Sequence, residues 1–118
     1  LEVGGQMIPA GRYHSLIHGI KIEGVGRYYL HFTVLPAGER CKVRLFPSHI
    51  TALRIATMHQ SDLPQDLKGA QAILVIGLHP DYGNRFIKPL PIPNEKLINV
   101  ESDVDLSRAR QFCEFEDL

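Results

Sequence analysis

Residues 27–46 read RYYLHFTVLPAGERCKVRLF, and their alternation decides the fold class. From Arg27 to Leu35, Tyr28, Leu30, Phe32 and Val34 fall on one side, with Arg27, Tyr29, His31 and Thr33 on the other. Period-two alternation of this kind belongs to a strand with one face on a core. Pro36-Ala37-Gly38 turns the chain. Arg40 to Phe46 then repeats the pattern, setting Cys41, Val43 and Leu45 against Arg40, Lys42, Arg44 and Phe46. Two adjoining strands with matched apolar faces predict an antiparallel hairpin.

Upstream, Arg12 to Glu23 also alternates, but neither side is cleanly apolar. Leu16, His18, Ile20 and Ile22 fall on one side, with Tyr13, Ser15, Ile17, Lys21 and Glu23 on the other. A bulge or bend at Gly19 would bring Ile17, Ile20 and Ile22 into one core. Gly24-Val25-Gly26 then turns into the second strand, which makes the first three strands a meander. Downstream, Ser48 is a candidate N-cap for a short helix over His49–Met58, with Ile50, Leu53, Ala56 and Thr57 on one side. A strongly apolar strand follows over Ala70–Leu78, then a hairpin loop and a fifth strand over Arg85–Ile92. Pro89, Pro91 and Pro93 place that last strand at a sheet edge. The expected class is therefore mainly β. Three strands, a helix and two strands is the order of a five-stranded Greek-key barrel of the OB-fold type, with its one short helix between strands 3 and 4.

The chain of 118 residues fits one domain, read as a body over residues 1–93 and an acidic C-terminal tail or short helix over 94–118. Its 44% hydrophobic content excludes wholesale disorder. No apolar run approaches the roughly 20 residues that span a bilayer, so no membrane role is expected. No basic-then-apolar leader opens the sequence, and Cys41 and Cys113 are too few for a disulfide scaffold, so a cytoplasmic setting is expected. Charge is balanced overall and uneven along the chain. Residues 1–60 hold seven Lys/Arg against three acids, and residues 94–118 three against seven. A basic front half suggests an anionic partner.

Catalytic signatures do not occur. There is no CxxC or HExxH spacing and no nucleophile elbow, and Gly24-Val25-Gly26 lacks the rest of a phosphate loop. His14 and His18, four apart on a strand, stand about 13 Å from each other, too far to share a metal. No enzyme activity, metal or cofactor is expected. The candidate site is instead the outward side of the second and third strands. Arg27, Tyr29 and His31 lie there beside Lys42, Arg44 and Phe46, with Tyr82 and Arg85 supplied from the fourth-to-fifth-strand loop. Cations interleaved with flat rings suit single-stranded nucleic acid, because cations meet phosphates while rings stack on unpaired bases. Nothing is placed to read a 2′-hydroxyl, so single-stranded DNA is the expected ligand with RNA left open. The competing expectation is an OB-type protein-interaction or oligomerisation module whose rings cover another subunit.

Several pieces resemble a family of phage and prophage OB-fold proteins linked to single-stranded-DNA binding. They are Pro9-Ala10-Gly11-Arg12-Tyr13, the Tyr29–Val34 strand, Leu45-Phe46, the short helix with Leu53, Asp66-Leu67-Lys68-Gly69 and Tyr82-Gly83-Asn84-Arg85. The resemblance runs over residues 8–93. It implies a non-enzymatic accessory of phage, plasmid or bacterial DNA replication or recombination, in the cytoplasm of a bacterial or phage-infected cell. Bacterial single-stranded-DNA-binding proteins resemble this plan too, with an acidic tail that ends in hydrophobic residues. Here Phe112, Phe115 and Leu118 would contact replication or recombination proteins. One small barrel covers few nucleotides, so a homo-oligomer is expected.

Overall fold

The computed structural model describes residues 7–36, 38–60, 66–81 and 83–99. Five antiparallel strands form one sheet in the order β3-β2-β1-β4-β5. They are β1 (Gly11–Ile22), β2 (Tyr28–Val34), β3 (Glu39–Leu45), β4 (Gln71–His79) and β5 (Gly83–Leu90). One helix, α1 (Pro47–Thr57), joins β3 to β4, and a 3₁₀ turn covers Asn94–Lys96. The meander, the position of the helix and the edge placement of the proline-bearing fifth strand all follow the expected plan. Barrel closure does not: β3 and β5, the two edges, come into contact without pairing, so the sheet stays open.

The long first strand serves two partners because it bends. Its first half pairs with β4, from Gly11 opposite Ile76 to Leu16 opposite Gln71. Its second half pairs with β2, and between Ile17 and Gly19 the register slips so that His18 has no opposite number. Gly19 sits there at φ +152°, a conformation L side chains rarely adopt. The slip reverses which residues face inward. Before it, Tyr13, Ser15 and Ile17 are buried; after it, Ile20 packs against the same core. The bulge thus gathers Ile17 and Ile20 as expected. Ile22, however, lies at the strand's end, 65% exposed, outside that core.

The core forms on the matched faces of the hairpin: Leu30, Phe32 and Val34 on β2 and Cys41, Val43 and Leu45 on β3 are all buried. Tyr13, Leu74, Ile76, Phe86 and, from the helix, Leu53 complete it. Each fully buried aliphatic or aromatic side chain contributes about 1.5–3 kcal/mol over leaving it in water. The helix packs on β4 and β5 through Leu53, Ala56 and Thr57, with Ile50 half-buried beside them. Its start differs from the Ser48 cap. Pro47 occupies the first helical turn and Phe46 is the N-cap residue, extended at φ −109°, ψ 162°. A residue before proline is driven to that extended conformation, so the helix begins two residues earlier.

Two side-chain amides bind the flanking segments to the sheet. Asn84 accepts the Ile8 N–H (2.8 Å) and donates back to the Ile8 carbonyl (2.7 Å). Gln71, itself buried, accepts the Ile98 N–H (3.0 Å) and donates to the Ile98 carbonyl (2.6 Å). Ile92, on the way from β5 to Ile98, is buried as well.

Candidate nucleic-acid interface

The outer face of β1–β3 is built by register. Lys21, Tyr29 and Arg44 stand side by side on β1, β2 and β3, and His31 stands opposite Lys42 on β2 and β3. Directly opposed residues project to the same side of a sheet. With Leu30, Val43 and Leu45 inward, these side chains face out. Arg40, opposite Thr33, extends the same face. Four of the seven basic residues of the front half, Lys21, Arg40, Lys42 and Arg44, are therefore gathered on this surface.

Aromatic rings are interleaved with those cations. The Lys42 ammonium lies 4.9 Å from the Tyr29 ring centroid and the Arg44 guanidinium 5.0 Å from that of Phe46. The Phe46 ring meets His49 edge-on at 5.7 Å, and His49 meets Phe86 at 4.9 Å. This ladder crosses the unpaired seam between β3 and β5. Along the seam runs a cleft of about 580 Å³, lined by Tyr29, Arg44, Phe46 and His49 on one side and His79, Arg85, Phe86 and Ile87 among the residues opposite.

Four of the expected site residues, Tyr29, Arg44, Phe46 and Arg85, thus share one cleft. His31 and Lys42 continue the same face beyond it. Arg27, exposed in the β1–β2 turn, does not line the cleft. Tyr82, Phe112, Phe115 and Leu118 lie outside the described residues. No family model, curated protein or solved structure matches the chain. The resemblance to phage-type single-stranded-DNA-binding proteins rests on the quoted residues alone.

Three members of the site are not among those expected from the sequence. Carrying the alternation straight through Gly19 puts Lys21 on the side of Tyr13 and Ile17; letting the bulge reverse the phase places it outward. Arg40 reaches the face simply by its alternation. His49 is brought in by the helix start: its Nδ1 accepts the Phe46 N–H at 3.1 Å, while its own backbone N–H donates to the Phe46 carbonyl at 2.8 Å. Histidine here completes the reciprocal capping that a glutamate usually provides. Burial, then the nearby Arg85 charge, holds the His49 pKa below its ordinary value, which keeps Nδ1 free to accept.

Other titratable groups on the face are shifted by the same physics. His18 is lowered by burial first, then by Arg40, His31 and Lys68. His31 is also lowered, with burial outweighing the opposing hydrogen bond that it donates to Glu23. Among the described residues, no group of three His, Cys, Asp or Glu side chains is placed to hold a metal ion. No helix among them is long and apolar enough to cross a membrane.

Proposed function

We propose that the protein is a non-enzymatic OB-type domain that binds single-stranded DNA across the outer face of β1–β3 and into the β3–β5 cleft. The observation that carries this reading is the cleft itself, where Arg44 and Arg85 line the same opening as the rings of Tyr29 and Phe46. Unpaired bases stack on such rings, while the guanidinium groups meet the phosphates between them. The strand order β3-β2-β1-β4-β5 supports the OB assignment, because it is the order of that barrel short of one closing pairing between β3 and β5. The resemblance of residues 8–93 supports a role in phage, plasmid or bacterial replication or recombination. The acidic tail would then recruit partner proteins, and several copies would assemble on one strand.

Fluorescence anisotropy with a labelled oligo-dT at two salt concentrations tests the reading. Counterion release demands a steep loss of affinity as salt rises. Absence of binding at low salt overturns it. One observation favours a second reading: Leu78 and Ile87, near the cleft on β4 and β5, are exposed apolar side chains. An interaction module would use them against another protein and leave the oligonucleotide free at both salt concentrations.

A further inference from the structure

The outer face of β1–β3 is basic, yet one acid reaches into it. Glu23 follows β1 directly, at the start of a tight turn that its N–H closes onto the Arg27 carbonyl at 2.8 Å. Gly24 (φ +73°) and Gly26 (φ +68°) allow that turn. The Glu23 carboxylate lies over the sheet, with Oε2 3.3 Å from His31 Nε2 and Oε1 3.2 Å from Lys42 Nζ. His31 and Lys42 are register partners on paired strands, whereas the acid arrives from a turn.

One anion that gives a separate oxygen to each of two donors is the arrangement two non-bridging phosphate oxygens would make. Glu23 is also the outermost member. Its side chain is 40% exposed, against 22% for Lys42 and 12% for His31. Solvent screens an ion pair so placed, which makes it readily exchanged. The Lys42 hydrogen bond, more than the one from His31, holds the Glu23 carboxyl below the usual carboxylate range. It is therefore anionic at neutral pH and competes with any other anion for the same donors.

Resting on the nucleic-acid reading above, we propose that His31 and Lys42 form a phosphate seat that Glu23 fills in the free protein. Strand binding then exchanges one internal carboxylate for one backbone phosphate, and Glu23 lowers affinity by occupying the seat. Lys21, whose charge bears on His31, adds to the attraction for the incoming phosphate.

The test compares the full chain with its Glu23→Gln variant, titrated with labelled oligo-dT over a range of salt. Glu95→Gln serves as control, since Glu95 is an exposed acid of the 3₁₀ turn that pairs with neither His31 nor Lys42. The E23Q protein should bind about two- to fivefold more tightly at low salt, the size of one exposed ion pair. Its slope of log K against log salt should stay close to that of the unaltered chain, because the same number of phosphates is neutralised in both. Equal gains in E23Q and E95Q, or none in E23Q, overturn the seat. A second readout separates this proposal from the reading beneath it: inorganic pyrophosphate titrated against the His31 ring NMR signals. If pyrophosphate shifts them more readily in E23Q while neither protein binds DNA, the seat stands and the nucleic-acid reading falls. If pyrophosphate moves His31 in neither protein, the seat is refuted whatever the oligonucleotide does.

Discussion

Replacing Phe46 by alanine separates binding from folding more cleanly than any other change in the cleft. The ring is 52% exposed, meets Arg44 at 5.0 Å and His49 at 5.7 Å, and lines the β3–β5 cleft. The helix cap at this position uses only the Phe46 backbone, through its N–H and carbonyl to His49. Alanine keeps both groups. About half the ring's area is already in water, so truncation forfeits roughly half of a buried phenylalanine's worth, about 0.7–1.5 kcal/mol of stability. Loss of one stacking platform costs about 1–3 kcal/mol of single-strand affinity. That is roughly 5- to 150-fold in Kd. Phe86 offers the contrast: it is 2% exposed, so Phe86→Ala should cost about 3–5 kcal/mol of stability. Urea unfolding and oligo-dT anisotropy on the same preparations measure both quantities. Unchanged affinity in F46A, or a stability loss as large as that of F86A, would refute the assignment of this ring to the binding surface.

Neutralising Lys42 and Arg44 together, as Lys42→Met and Arg44→Met, should flatten the salt dependence of binding by about 0.7 for each phosphate no longer neutralised; an unchanged slope removes both from the site. Acidification should destabilise the fold, because His18, His31 and His49 all have pKa values held below the ordinary 6.5, chiefly by burial. The unfolded chain takes up these protons first, so stability is highest above pH 6.5 and declines as pH falls below it. Thermal melts at pH 7.5 and 5.5 check the sign, and a higher melting point at the lower pH would contradict it. A chain ending at Asn99 keeps the Ile98–Gln71 hydrogen bonds and sheds a segment that is net −4. It should bind oligo-dT more tightly at low salt, with the gain shrinking near about 0.3 M as screening grows. Weaker binding would show that residues 100–118 support the site.

Local chemistry made most of the elements legible. Alternation in residues 27–46 identified the inner and outer faces of β2 and β3 correctly, and the prolines marked β5 as an edge. Gly19 announced the bulge, but its consequence for Lys21 needed the reversed phase carried forward. Phe46 and His49 were harder to read, because the constraint of Pro47 on its predecessor moved the helix start and turned a histidine into the cap. The meeting of β3 and β5 has no local signature at all. It depends on how far β1 bends and where α1 packs, and it decides both that the sheet stays open and that Arg85 faces Arg44 across a cleft. Sequence placed those two arginines in one site only by analogy with OB-fold loops.

The single strand is proposed to lie on one surface, the β1–β3 face with its cleft. Backbone amide shift mapping on the ¹⁵N-labelled protein, titrated with oligo-dT, tests it residue by residue. On this proposal shifts concentrate at Lys21, Tyr29, His31, Arg44, Phe46, His49 and Arg85, while Ile55 on the helix and Met58 just after it, both exposed, stay still. Shifts centred on the helix, or none anywhere at saturating oligonucleotide and low salt, would contradict it.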